Sequence, residues 1–283
     1  MTPQSKERDR TPHEILWERY WSEFMTAPLK FATWMSSYEY KDKKFGHIYR
    51  YHPRSDVHSI MLCHFIMEDF LERCQILREQ ALRDEVAYGI NAQHSWGATQ
   101  KIKTIDLAVG KPSEGLVGSM PNGISGIRKV SSFSEVFVSC EAKSVMTEHA
   151  KSQPRVYDEL SSSHEIVHQG KPDAIAAGVA VVNIADRFVS PLRQITGEGL
   201  HYTNHKQPRA AERMVNHLRG FPIRDQIGEV GFDAYCTIVI GCDNIAAANL
   251  CETPPAPQPG DRDHYETFLE RISLFYTQRF SSI

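Results

Sequence analysis

Residues 101–109 read KIKTIDLAV and residues 135–143 read EVFVSCEAK. Both runs have the apolar, β-branched character of strands buried on at least one face. Each also carries acid where an apolar strand should not have it: Asp106 behind Ile105, and Glu141 closing the second run with Lys143. A carboxylate in an apolar strand is costly unless it is paired or bound to a cation. Side chains alternate along a strand, so Glu141 and Lys143 share one face and Ala142 points away, leaving its backbone carbonyl as a further oxygen. The same alternation puts Val136 and Val138 on one face and Phe137 on the other.

Outward from these runs the chain reads as helices around more strands. Ser59 to Tyr88 carries one apolar stripe (Leu62, Ile66, Phe70, Cys74, Leu77, Ala81), the mark of a long amphipathic helix that Gly89 would stop. Pro12 to Met25 has the same spacing in shorter form, and Lys41 to Arg54 reads as loop or short strands. Glu148 to Gln169 is a helix in which Pro154 implies an early turn or a kink. Asp173 to Ile184 and Tyr235 to Ile240 are two further strands, almost wholly apolar. Gly110 to Gly126 is an irregular loop, Pro254 to Pro259 a linker, and Asp261 to Phe280 a closing amphipathic helix. Buried strands separated by helices imply one α/β domain over residues 1–283, a mixed central sheet flanked by helices. It has a helical addition at the N-terminus and a basic insertion before the last strand.

Composition removes several classes. A net charge of −3 argues against binding nucleic acid by bulk charge. Hydrophobic residues at 41% are enough for a core, so wholesale disorder is not expected. No apolar run is long enough to span a bilayer, and Met1 to Arg10 lacks the apolar stretch of a secretion signal, so no membrane partner and a cytoplasmic location are expected. The cysteines form no CxxC pair, which fits reduced, mostly buried thiols. Charge is uneven, however. Between Arg187 and Arg224 lie Arg187, Arg193, Lys206, Arg209, Arg213, Arg219 and Arg224 against Glu198 and Glu212 alone. Such a stretch suits a locally anionic ligand, or is an ordinary solvated surface.

Two carboxylates with a lysine beside them suit a hard divalent cation and the hydrolysis of a phosphodiester. Here the sequence resembles the PD-(D/E)XK nuclease superfamily, which includes many type II restriction endonucleases. The resembling residues are TIDLAVG with Asp106 and VSCEAK with Glu141 and Lys143, in the order helix, strand, strand, helix, strand over roughly Ser59 to Ile184. Ile105 stands where a proline often precedes the acid. The resemblance implies a restriction endonuclease-like core over about 59–184 and Mg2+-dependent cleavage of double-stranded DNA, with Mn2+ as a substitute. Asp106, Glu141 and the Ala142 carbonyl would hold the metal, and Lys143 would assist the attacking water. A homodimer or higher homo-oligomer is expected, and a two-fold dimer would present two sites to two strands. Some members add an acid from the preceding helix, for which Glu68 and Glu72 stand ready. Residues beside the scissile phosphate would come from His149, Lys151 and Arg155, and DNA contacts from segment 187–224, including Arg193, Gln194, Lys206, Gln207, Arg209 and Arg213.

Other readings compete. An E-x-K triplet arises about once by chance in a chain of this length, and Glu39-Tyr40-Lys41 is a second copy with no acid-bearing strand ahead of it. Asp106, Glu141 and Lys143 also read as salt-bridged strand ends. A non-specific defence or repair nuclease, or a DNA-binding protein with a decayed site, would share the same residues. Finally, His164-Glu165-Ile166-Val167-His168 is a literal H-E-x-x-H, the motif of zinc peptidases, although Gly170, Lys171 and Pro172 end its helix at once.

Overall fold

The computed structural model describes residues 25–96, 101–115, 123–194 and 199–283. The helix expected over Pro12 to Met25 lies, but for its last residue, outside the described residues. In chain order the elements are α1 (Ala27–Ser37), β1 (Tyr40–Lys41), β2 (Ile48–Tyr49), α2 (Val57–Arg73), α3 (Gln75–Leu82), β3 (Ala87–Trp96), β4 (Lys101–Pro112), β5 (Arg128–Lys129) and β6 (Phe133–Val145). They continue with α4 (His149–Gly170), β7 (Ile175–Asn183), β8 (Arg187–Val189), β9 (Tyr202–Asn204), α5 (Arg209–Leu218), β10 (Ala234–Gly241), β11 (Asn249–Leu250) and α6 (Tyr265–Phe280).

The seven-stranded sheet runs β11-β10-β7-β6-β4-β3-β5. β3, β4 and β6 form an antiparallel meander; α4 then crosses over so that β7 lies parallel to β6, and β10 lies parallel to β7. β7 is buried along its whole length, as a strand covered on both faces must be. One face packs against α1, α2, α3 and α6 through Phe31, Ile66, Phe70, Leu77 and Phe268. The other packs against α4 and α5 through Val156, Leu160, Met214 and Leu218. The architecture is thus α/β, a mixed sheet between helical layers.

Three expectations change. The long helix to Tyr88 is two helices and a strand: the chain breaks at Cys74, where backbone φ −96° and ψ 101° are extended, and α3 ends at Leu82. Tyr88 and Gly89 lie inside β3, because their apolar neighbours serve a sheet rather than a helix stripe. Gly89 has no room for a side chain: a Cβ would sit 2.7 Å from the Val130 carbonyl oxygen. Second, Val136 and Val138 fall in opposite cores, since a bulge at Phe137 shifts the register between Val109–Val138 and Gly110–Val136. Third, α4 runs unbroken through Pro154, its sixth residue.

Candidate active site

β4 and β6 pair as far as Leu107 and Cys140 and then part. Asp106 fills the gap: its Oδ2 accepts a hydrogen bond from the Ala142 backbone N–H at 2.8 Å. A strand residue's carbonyl points to the same side as its N–H, so the Ala142 carbonyl also faces this gap. Across β3 and β4 the alternation of faces reverses at Asn91 and Asp106. Tyr88, Leu107 and Val109 face the α2 side, whereas Ala92 and Ile105, an even number of residues away from them, face the α4 side. Asn91 makes the reversal with φ +52°, a left-handed conformation that asparagine tolerates well.

That reversal brings Lys103 to the side where Glu141 and Lys143 stand. The Glu141 carboxylate, 8% exposed, has an ammonium on each oxygen: Lys103 Nζ 3.0 Å from Oε2 and Lys143 Nζ 2.6 Å from Oε1. α4 completes the cluster. Lys103 also donates to Ser163 Oγ, which lies 3.4 Å from Glu141 Oε2, and Glu159 lies 3.7 Å from Lys143 while pairing with Arg155 at 2.9 Å. Strict alternation along KIKTIDLAV would set Lys103 with Leu107 on the far face, so the sequence did not point to it; the signal available was Asn91 opposite Asp106.

The electrostatics follow from this packing. Burial, and then the nearby Glu141 charge, push the Asp106 carboxyl up to about 6. Burial works on Glu141 in the same direction, but the two lysine ammoniums outweigh it and hold that carboxyl below its ordinary range. Lys143 is drawn down by burial and raised further by Glu141, so it remains an ammonium at neutral pH. Among the described residues no group of three or more His, Cys, Asp or Glu side chains converges on a possible metal position. The available donors are the second Asp106 oxygen, the Glu141 carboxylate and the Ala142 carbonyl. That set fits magnesium, which is held by one or two carboxylates and completes its shell with water and substrate phosphate. Of the two causes that raise Asp106, burial and then the Glu141 charge, a divalent cation would relieve the second.

Lys143 opens into a cleft of about 340 Å3 beyond the carboxyl ends of β6 and β7, with Arg155 and Glu159 on one wall and His58 and Ser59 on another. Around the N-terminal end of α4 lies a second groove, lined by Lys151, Lys206, Arg209 and Arg213. A hydrogen bond of 3.0 Å between Thr147, in the cleft, and His205, in the groove, joins the two. Four of the six basic residues expected at DNA therefore line one groove. Arg155 is in the cleft, and Arg193 pairs with Glu148 at the groove's edge.

Other expected residues serve the fold. Glu68 is held by Lys30 at 3.2 Å and His64 at 3.4 Å and does not join Asp106 and Glu141. Glu39 and Lys41 of the second E-x-K are both exposed, Glu39 facing Arg50. His149 is buried on the Asn183 carbonyl, Gln194 bonds Ser190 and His201, and Gln207 bonds Asn183 and Ala211. Arg219 pairs with Asp261 and Asp263, and Arg224, 1% exposed, pairs with Asp233, so neither adds to a basic surface. The H-E-x-x-H run is structural as well. His168 bonds Asp233 at 3.1 Å, while His164 packs on Phe232 and is lowered to about 4 by burial. The described residues supply these histidines no third ligand.

Comparison of the chain with protein-family models, with curated proteins and with solved structures finds no match. Among the described residues no helix is long and apolar enough to cross a membrane.

Proposed function

We propose that this chain is a magnesium-dependent endonuclease of the PD-(D/E)XK type acting on double-stranded DNA, in a restriction-like or other defence role. One observation carries the reading: Asp106 bonds the Ala142 backbone where β4 and β6 part, close enough to Glu141 to feel its charge, and Lys143 stands 2.6 Å from Glu141 and lines a cleft. From the Asp106 strand onward, β4, β6, α4 and β7 follow the order strand, strand, helix, strand that the resemblance implies, with β3 an added strand before them and the two-residue β5 between β4 and β6.

Asp106, Glu141 and the Ala142 carbonyl are the residues that would hold magnesium. When bound, the ion supplies Lewis-acid activation of the scissile phosphate. Lys143, an ammonium at neutral pH, acts as donor rather than base. It orients the attacking water and stabilises the negative charge that grows on the phosphoryl oxygens. Lys103 and Ser163 hold Glu141 from the other side, so that its carboxylate keeps one orientation. The groove of Lys151, Lys206, Arg209 and Arg213 supplies phosphate contacts next to the cleft. A two-fold dimer would offer one such site to each strand.

Incubation with supercoiled plasmid tests the reading. Cleavage with magnesium and none with chelator is the expected result; discrete fragments point to a sequence-specific enzyme and a smear to a non-specific one. Plasmid left intact over a range of divalent ions and DNA sequences contradicts it.

A further inference from the structure

The cleft beside Lys143 has features that phosphodiester hydrolysis alone does not use. Its inner wall is apolar and aromatic, formed by Met35, Tyr51, Leu62, Met146 and Phe188, all buried. His58 lines it as well, 4% exposed, in T-shaped contact with Trp34 and Tyr38. Its Nε2 must carry the proton, because it donates to the Arg50 carbonyl at 2.8 Å. Nδ1 is therefore a bare acceptor, and it is buried without a hydrogen-bond partner. A buried acceptor left unpaired calls for an explanation, and a bound donor supplies one.

At the mouth the chemistry changes. Lys143 and Arg155 bring two cations and Glu159 one carboxylate. The Arg155–Glu159 pair is exposed on the arginine side, at 62%, so a ligand anion can replace it at little cost. A volume of about 340 Å3 with an apolar inner wall, a polar outer wall and a few converging charged groups is the size and form of a small-molecule pocket. The ligand that matches is flat and apolar in the body, with a hydrogen-bond donor on its edge and an anionic group at one end.

We infer that this cleft is a nucleotide pocket, which takes one unpaired nucleobase against Tyr51 and His58 and sets its phosphate at Lys143 and Arg155. The inference rests on the nuclease reading for the phosphate position. The nucleotide has two sources, a base unstacked from a bound strand or a free mononucleotide.

The test uses the full chain in chelator, where no cleavage intervenes. An oligonucleotide with 2-aminopurine at an unpaired position is titrated with protein and its fluorescence followed, with and without competing 5′-mononucleotides. Saturable change is expected, and Ser59→Trp, which fills the cleft, should abolish it. His58→Phe should weaken binding roughly tenfold, the worth of one hydrogen bond. Competition by mononucleotide identifies the free ligand as a source; binding of the strand alone identifies the unstacked base. No binding of either, or affinity unchanged in Ser59→Trp, overturns the pocket. If His58→Phe does not fold, Ser59→Trp decides. Plasmid cleaved without nucleotide binding leaves the nuclease reading standing and removes the pocket; nucleotide binding without cleavage does the reverse.

Discussion

Asp106 Oδ2 lies 2.8 Å from the Ala142 backbone nitrogen, and this bond stands where the ladder between β4 and β6 has stopped. A side chain has taken the place of a backbone partner, and Glu141 and Lys143 stand on either side of the Ala142 that it bonds. The site is a defect in the sheet, stabilised by the residues that use it.

Asp106 carries a stability cost. Its carboxyl is pushed up to about 6 by burial and by the Glu141 charge. A raised carboxyl favours the folded state when protonated, so its contribution is present below the unfolded value of 3.8 and is lost as pH rises through about 6. Asp106→Asn should match the wild type near pH 3.5 and exceed it by about 2 kcal/mol near pH 7. Urea melts across this range check it. Magnesium should stabilise the wild type and not the variant.

Lys103 is expected to matter through Glu141. Lys103→Met leaves a buried carboxylate with one ammonium instead of two, which should cost about 2 kcal/mol of stability. Magnesium-dependent cleavage should fall as well, while magnesium affinity, read by calorimetry, should rise because Oε2 is freed. An unchanged affinity would mean that Lys103 only packs.

Asp233 anchors α4 and α6 away from the site, with Arg224, Arg279 and His168 around it. Burial opposes its ionisation, but His168 and the two arginines outweigh burial and hold it down to about 2. A depressed carboxyl contributes stability above its unfolded value, here 3.8, and loses it as pH falls through about 2. Asp233→Asn should cost about 3–5 kcal/mol near pH 7, since it strands buried Arg224, and the difference should shrink below about pH 4. His168→Ala should lower stability and leave cleavage unchanged; loss of bound zinc from that variant would revive the peptidase reading.

The basic groove should show itself in salt dependence. Lys206→Ala, Arg209→Ala and Arg213→Ala should each weaken DNA binding across sequences. Each should also flatten the slope of log affinity against log salt by about one. Arg219→Ala, whose guanidinium is spent on Asp261 and Asp263, should leave that slope as it is.

Much of this fold was legible in the sequence where residues followed one period. β6, β7, β10, α4 and α6 fall where their apolar patterns put them, and Lys143 pairs with Glu141, whose charge acts on Asp106. What was not legible depends on local breaks of period. Cys74 interrupts an apolar stripe that continues on both sides of it. β3 was concealed because the helical reading ran to Tyr88, which in fact faces the α2 core from within the strand. Lys103 was missed because faces reverse at Asn91 and Asp106, and the bulge at Phe137 moved Val136 in the same way. The basic segment misled in a different respect: charge counts do not tell Arg224, buried on Asp233, from Arg209, open in the groove.

The most direct measurement is the rate at which supercoiled plasmid is cut with magnesium by the wild type, Glu141→Gln and Lys143→Met, with thermal melts of all three. On the nuclease reading, chelator-sensitive cutting by the wild type is expected, with losses of at least about a hundredfold in both variants, which still fold. A wild type that never cuts, or a variant that cuts at the wild-type rate, contradicts it.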